Sequence, residues 1–241
     1  MTEVTRRERI RAATEMEIRQ HARALLVEHG RDAVTLRAIA RELGITAPAL
    51  YRYCDSREDL LRQLCDDICT DLAAELAQLL ETVPVDEYLN KVFTVCRAFR
   101  RWALGHPQEF TLVFATPPQE TASNEDGVRG DQFAGVFLGI VGPLMAEGAF
   151  KVQHENVPNE MQADLAENQE ALATAFSAQG IDMPPEALSE DAVYFLLSWW
   201  VRLYGHVALE VFGRFPFDVH HADQLFDSLL SELAEDIGMN S

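Results

Sequence analysis

Apolar residues recur at three- and four-residue intervals along most of the chain, and strict apolar–polar alternation is scarce. That spacing predicts helices rather than strands. The first helix spans about 9–29, with Ile10, Ala13, Ile18, Ala22, Leu25 and Leu26 as its apolar positions and Gly30 as its stop. Thr35 caps a short helix that ends near Leu43. Gly44 breaks the chain, and Thr46 caps a second short helix with Pro48 near its start. Asp55 or Ser56 opens a long helix to about Leu80, apolar at Leu60, Leu61, Leu64, Ile68, Leu72, Leu76 and Leu79. Further helices are expected over 85–105, from Pro107, up to about 148, and over 159–176, 187–212 and 221–237. Polar or proline-rich breaks at 82–88, 115–127, 149–158 and 179–191 separate them. The expectation is an all-α protein.

Charge divides this helical chain in two. Residues 1–64 carry twelve arginines against ten acids, a net of +2. The remainder carries 8 basic residues against 29 acids, a net of -21. A polyanion is repelled by the larger part and tolerated by the first. The bland reading of the acidity is solubility, and it suits the larger part better than it explains the asymmetry.

The segment "TLRAIARELGITAPALYRYCDSREDLL" (35–61) carries the sharpest chemistry. Two short helices cross closely only where a small residue lies at the contact, which Ala40 supplies, and Gly44 accepts the positive φ of a sharp turn. Ile39, Leu43, Ile45 and Leu50 are expected to face inward. This is helix-turn-helix geometry, whose second helix enters a DNA major groove. Thr35 and Thr46 begin the helices, Tyr51 and Tyr53 stand at the far end, and Arg37, Arg52 and Arg57 add cations. Arg57 occupies the first turn of the long helix, where the dipole disfavours a cation, and a helix start aimed at phosphate accounts for it.

With "ALLVEHGRDAV" before it, this run resembles the N-terminal domain of the TetR family of transcriptional regulators. Two positions depart from the family pattern: Cys54 stands for the usual Phe, and Arg57 for the usual Lys. The resemblance implies a three-helix DNA-binding domain over 9–62 and a helical effector-binding and dimerisation domain over 63–241. It implies phosphate contacts by Thr35, Thr46, Tyr51, Tyr53 and Arg57, with Arg37, Ala47, Pro48 and Arg52 facing base edges or the groove wall. Ala47 and Pro48 read only thymine methyls or shape, while Arg52 is the candidate for guanine.

The second part loosely resembles a TetR C-terminal domain type with a Trp-His-Gly signature: Trp200 and Gly205 match, and Tyr204 replaces the histidine. Helix 187–212 is apolar around most of its circumference, so a second surface must cover it. We expect a homodimer interface of Leu196, Trp200, Leu203, Val207 and Val211 with Phe226, Leu229, Leu230 and Leu233; the alternative is burial within the monomer. A small apolar effector would be lined by Phe93, Trp102, Phe110, Phe114, Phe133 and Phe137, with Arg97 and His106 adding polarity.

No Gly-x-Ser-x-Gly, phosphate-binding glycine loop or His-Glu-x-x-His is present, so no enzyme is expected. His220, His221, Asp218 and Asp223 read as helix-end residues rather than a metal site, and no cofactor is expected. Cys54, Cys65, Cys69 and Cys96 read as reduced thiols. No run reaches the roughly 18 apolar residues of a membrane span, and no signal peptide is evident, so a cytoplasmic protein is expected. The function expected is a ligand-responsive repressor on a palindromic operator. Its rivals are a regulator of the same fold without a small ligand, and a helical carrier or enzyme with a vestigial DNA domain.

Overall fold

The structure, a computed structural model, describes residues 5–115, 142, 143, 145, 146, 157–178 and 180–237. Among them are helices and turns and no strand. The helices are α1 (Arg6–His29), α2 (Leu36–Glu42), α3 (Ala47–Leu50), α4 (Arg57–Leu80), α5 (Tyr88–Gly105), α6 (Pro107–Phe114), α7 (Asn159–Ala178), α8 (Glu190–Val211) and α9 (Ala222–Asp236). The chain forms two compact units. Among the described residues the smaller contains 5–70 and 106–115, and the larger contains 71–105 and those from 142 onward. The segment around α6 packs with the N-terminal part in this division.

In the smaller unit, α1 starts three residues earlier than the apolar spacing implies. Thr5 and Glu8 form a capping box: the Thr5 hydroxyl accepts from the Glu8 N–H, and Glu8 accepts from the Thr5 N–H at 2.7 Å. Ile18, Ala22 and Leu26 put one stripe of α1 into the core, where Val34, Ile39, Leu50, Leu60 and Leu64 are also fully buried. Each such aliphatic side chain contributes about 1.5–3 kcal/mol by leaving water. Ile45 is not among them: it stands 36% exposed at the turn, contrary to the expected inward face.

In the larger unit, α5 begins at Tyr88, because 82–87 form turns closed by the Glu87 N–H donating to the Pro84 carbonyl. Val95, Phe99, Trp102 and Ala103 form its buried face. Ser189 caps α8 by accepting from the Ala192 N–H, so the expected helix from 187 divides into a 3₁₀ turn (Pro185–Leu188) and α8. α8 buries Ala192, Phe195, Trp199, Leu203 and Val207 on one face. α9 packs on it with Phe226, Leu230 and Leu233. All four cysteines are free thiols, and burial pushes Cys96 up to about 12.

Candidate nucleic-acid interface

The hairpin of α2 and α3 is built by its turn. The Ile45 N–H donates to the Ala40 carbonyl at 2.9 Å and the Gly44 N–H to the Arg41 carbonyl at 3.2 Å. This double closure requires a left-handed residue, and Gly44 supplies it with φ of 65°. Ala40, 3% exposed, is the small residue at the crossing. Thr35 caps α2 by accepting from the Ala38 N–H. Thr46 precedes α3 with extended backbone, but its hydroxyl makes no cap bond. The second cap expected from the sequence is therefore a free, exposed hydroxyl.

α3 is one turn long, and Tyr51, Arg52 and Tyr53 continue it as a turn, with the Tyr53 N–H donating to the Leu50 carbonyl. Ile39 and Leu50 anchor the hairpin at 0% exposure, while Arg37, Thr46, Pro48, Tyr51 and Arg52 are exposed on its outside. Thr35, Ala47 and Tyr53 are half-buried. Arg37 and Arg52 have no ion-pair partner among the described residues.

Arg57 has a different explanation from the one its position invited. Its Nε donates to the Val34 carbonyl and its Nη2 to the Arg31 carbonyl, each at 2.7 Å. The guanidinium satisfies the carbonyls of the 3₁₀ turn (Arg31–Ala33) that leads into α2, and its cation near the start of α4 needs no phosphate to account for it. Ser56 caps α4 by accepting from the Asp59 N–H.

A buried charge supports the same unit from the other side. Glu109 of α6 is 2% exposed, and the Arg23 Nε of α1 donates to its Oε1 at 2.5 Å. His106 Nε2 lies 4.0 Å from Oε2. Sequence reasoning missed this pair, since 86 positions separate its members and no motif marks either.

The expected effector residues fall in both units. Phe93, Arg97 and Trp102 belong to the larger; His106, Phe110 and Phe114 to the smaller. Phe110 is fully buried and stacks on Phe114 at 4.7 Å, and Trp102 is 6% exposed, so Phe110 and Trp102 act as core of their own units. Arg97 is paired with Asp227 at 2.9 Å and lies 5.3 Å from the Phe93 ring. Phe133 and Phe137 lie outside the described residues.

The expected interface residues divide as well. Leu203, Val207, Phe226, Leu230 and Leu233 are at most 8% exposed within the single chain, so they join α8 to α9 and are not open to a second copy. Leu196, Trp200, Val211 and Leu229 are half-buried. The outward apolar face of α8 consists instead of Leu197, Val201, Leu209 and Phe212, with Leu225 exposed on α9. Gly205 lies on that face, and a Cβ added there would meet nothing within 4 Å.

Behind α8, the Arg100 guanidinium donates to both carboxylate oxygens of Glu210, at 2.7 and 2.6 Å, and pairs with Asp223 at 2.7 Å. His206 packs edge-on to Phe215 and against Phe226, and its buried Nε2 makes no hydrogen bond. No group of three acids, histidines or cysteines among the described residues is arranged to hold a metal. No described helix is long and apolar enough to cross a membrane.

Comparison with known proteins agrees with this geometry. The family of bacterial regulatory proteins, tetR family, matches residues 18–64, and the tetracyclin repressor-like C-terminal domain family matches residues 92–233. The HTH-type transcriptional regulator Rv1816 of Mycobacterium tuberculosis is 29% identical over 218 residues, covering 90% of this chain and 88% of that one. A second protein of that organism, the uncharacterized HTH-type transcriptional regulator Rv0681, is 24% identical over 88% of this chain and 76% of its own. The crystal structure of the protein SCO4313 superposes with a TM-score of 0.67 at 28% identity, covering 96% of this chain and all of that one. A helix-turn-helix with outward arginines, followed by a helical unit matched over most of its length, leads to one conclusion: the chain belongs to the TetR family of DNA-binding transcriptional regulators.

Proposed function

We propose that the protein is a ligand-responsive repressor that binds a palindromic operator as a homodimer. The observation that carries the DNA-binding surface is the exposed group Arg37, Thr46, Tyr51 and Arg52, in which neither arginine is matched by an acid. Phosphate or a base edge supplies the missing partner. Arg52 is the base reader, since a guanidinium donates to both acceptors of guanine. Thr35, Thr46, Tyr51 and Tyr53 position the hairpin on phosphates, Ala47 and Pro48 fill the groove wall, and Arg37 flanks it. Arg57 acts through Val34 and Arg31 as a positioning residue.

The dimer would form on the outward face of α8 around Gly205, with Leu197, Val201 and Phe212 in the contact. A two-fold pair of hairpins would then meet half-sites about one helical turn apart, roughly 34–36 Å. An effector held by the larger unit would shift the population toward a spacing that no longer fits. The site of action is the cytoplasm, where the operator is. Selection of bound fragments from genomic DNA tests the reading, followed by a screen for compounds that release them. Gly205→Arg should convert a dimer to monomers in sedimentation without loss of helix. A monomeric wild-type chain, or selected DNA without two-fold symmetry, rejects the dimer.

A further inference from the structure

The first two turns of α1 are more exposed than a helix in a packed unit requires. Every residue from Arg6 to Ala13 is exposed, and the first buried residue of α1 is Ile18. The match to the N-terminal family domain begins at residue 18, so these turns lie outside it.

Their sequence is not neutral. Arg6, Arg7, Arg9 and Arg11 stand there against the one acid Glu8, in a chain of net charge -19. Glu8 is committed to the Thr5 cap, which holds its pKa below the usual carboxylate value through the bond from the Thr5 N–H. Helical period decides where these arginines point. The buried stripe Ile18, Ala22, Leu26 continues upstream to positions 11 and 7, each returning to within about 20° of the direction of Ile18. A packed helix would carry leucine there; this one carries arginine. Arg6 and Arg9 point to other sides.

Arg7 and Arg11 therefore continue the stripe of α1 that, further along, packs into the core of the unit holding the helix-turn-helix. The bond to Glu15 is the main influence that raises the Arg11 pKa, and the Tyr53 phenol at the end of α3 adds the least. The only ion pair of Arg11 among the described residues is with Glu15, one helical turn on and at 2.8 Å. Arg11 is 63% exposed in that pair, so solvent screens it and it is readily exchanged. Arg7 has no ion pair among the described residues. The hairpin surface and this projecting stripe belong to the same compact unit, so they approach a duplex together.

We infer that Arg7 and Arg11 form a second DNA contact, in which the projecting start of α1 grips backbone phosphates beyond the segment read by the hairpin. The inference rests on the DNA-binding reading above and adds a contact that carries affinity without sequence preference. Arg6 and Arg9, on the other faces, provide the internal comparison.

The test is the salt dependence of the full-length chain binding a mixed-sequence duplex of about 40 base pairs, long enough for the hairpin and its flanks. Each lost phosphate contact lowers the slope of log affinity against log salt by about 0.9, so Arg7→Ala/Arg11→Ala should lower it by about 1.8. Arg6→Ala/Arg9→Ala should leave it within experimental scatter. Alanine is the best helix former, and these positions are exposed, so the thermal midpoint should hold in both variants. Arg7→Lys/Arg11→Lys should keep the slope. An Arg7/Arg11 variant with the wild-type slope overturns the inference alone, and equal losses in both alanine variants overturn its directional content. A wild-type chain that binds no duplex in low salt sinks the helix-turn-helix reading and this contact with it.

Discussion

Both units hold matched and unmatched arginines, Arg101 and Arg214 of the larger having no ion pair among the described residues, but the smaller gathers two unmatched ones on one hairpin. In the larger unit Arg97, Arg100 and Arg202 each meet acids of that unit: Asp227, the Glu210–Asp223 pair, and Glu232 with Asp236. In the smaller unit Arg23, Arg19 and Arg57 are spent on Glu109, Asp67 and backbone carbonyls, while Arg37 and Arg52 are left facing outward. Matched charge holds a fold together. Unmatched charge at a hairpin surface is an unmet demand, and a polyanion meets it. Total charge conceals this, because the chain as a whole is acidic.

The comparison can be broken at the matched arginines of the smaller unit first, where the largest effects are expected. Arg23→Ala leaves the Glu109 carboxylate buried and uncompensated, which should cost about 3 kcal/mol in urea unfolding. Arg23→Ala with Glu109→Leu should recover most of that loss. Arg57→Ala removes two bonds to carbonyls and should cost about 2 kcal/mol, with DNA affinity falling in step as α2 loses its footing. Arg57→Lys keeps the charge but cannot span both carbonyls, and it should recover only part. If Arg57→Ala left stability unchanged and weakened only DNA binding, Arg57 would be a direct phosphate contact instead.

The larger unit sharpens the contrast at His206. Burial among Phe215 and Phe226 pulls its pKa below 6.5; Glu210 opposes this and Arg100 adds to it. The unfolded chain therefore takes up this proton first. The stability that neutral His206 contributes is complete above pH 6.5 and is lost as pH falls from there through the lowered folded value. Thermal midpoints of wild type and His206→Gln should converge between pH 7 and 5; parallel curves would show that Glu210 compensates the charge fully. The smallest effect is expected at Arg97–Asp227, a pair exposed on both sides, where Arg97→Ala should change stability by no more than about 0.5 kcal/mol.

Much of this was legible in the sequence, for local reasons. Gly44 with Ala40 four residues earlier, Thr35 before α2 and Ser56 before α4 act through bonds within a few positions, so a reader of the chain meets them together. The true start of α1 was also written locally, in the Thr5–Glu8 box, but apolar spacing begins only at Ile10 and drew attention past it. Long-range partners left no such trace. Glu109 looks like any first-turn acid until α6 is placed beside Arg23, and Arg57 looks like a phosphate ligand until Val34 and Arg31 are seen at its nitrogens. On α8 the sequence correctly announced apolar residues all around. It does not say which face α9 covers, so the interface expected at Leu203 and Val207 is buried within the chain, while Leu197 and Val201 stand exposed.

The most direct test of the central claim is a fluorescence anisotropy titration of full-length wild type and Arg52→Ala against a duplex recovered by selection, each over a series of salt concentrations. If the outward arginines of the hairpin read DNA, wild-type affinity falls linearly with log salt, and Arg52→Ala loses about 1–3 kcal/mol on the selected duplex with relaxed preference over unselected sequence. Arg52→Ala binding the selected duplex as tightly and as selectively as wild type would contradict the account.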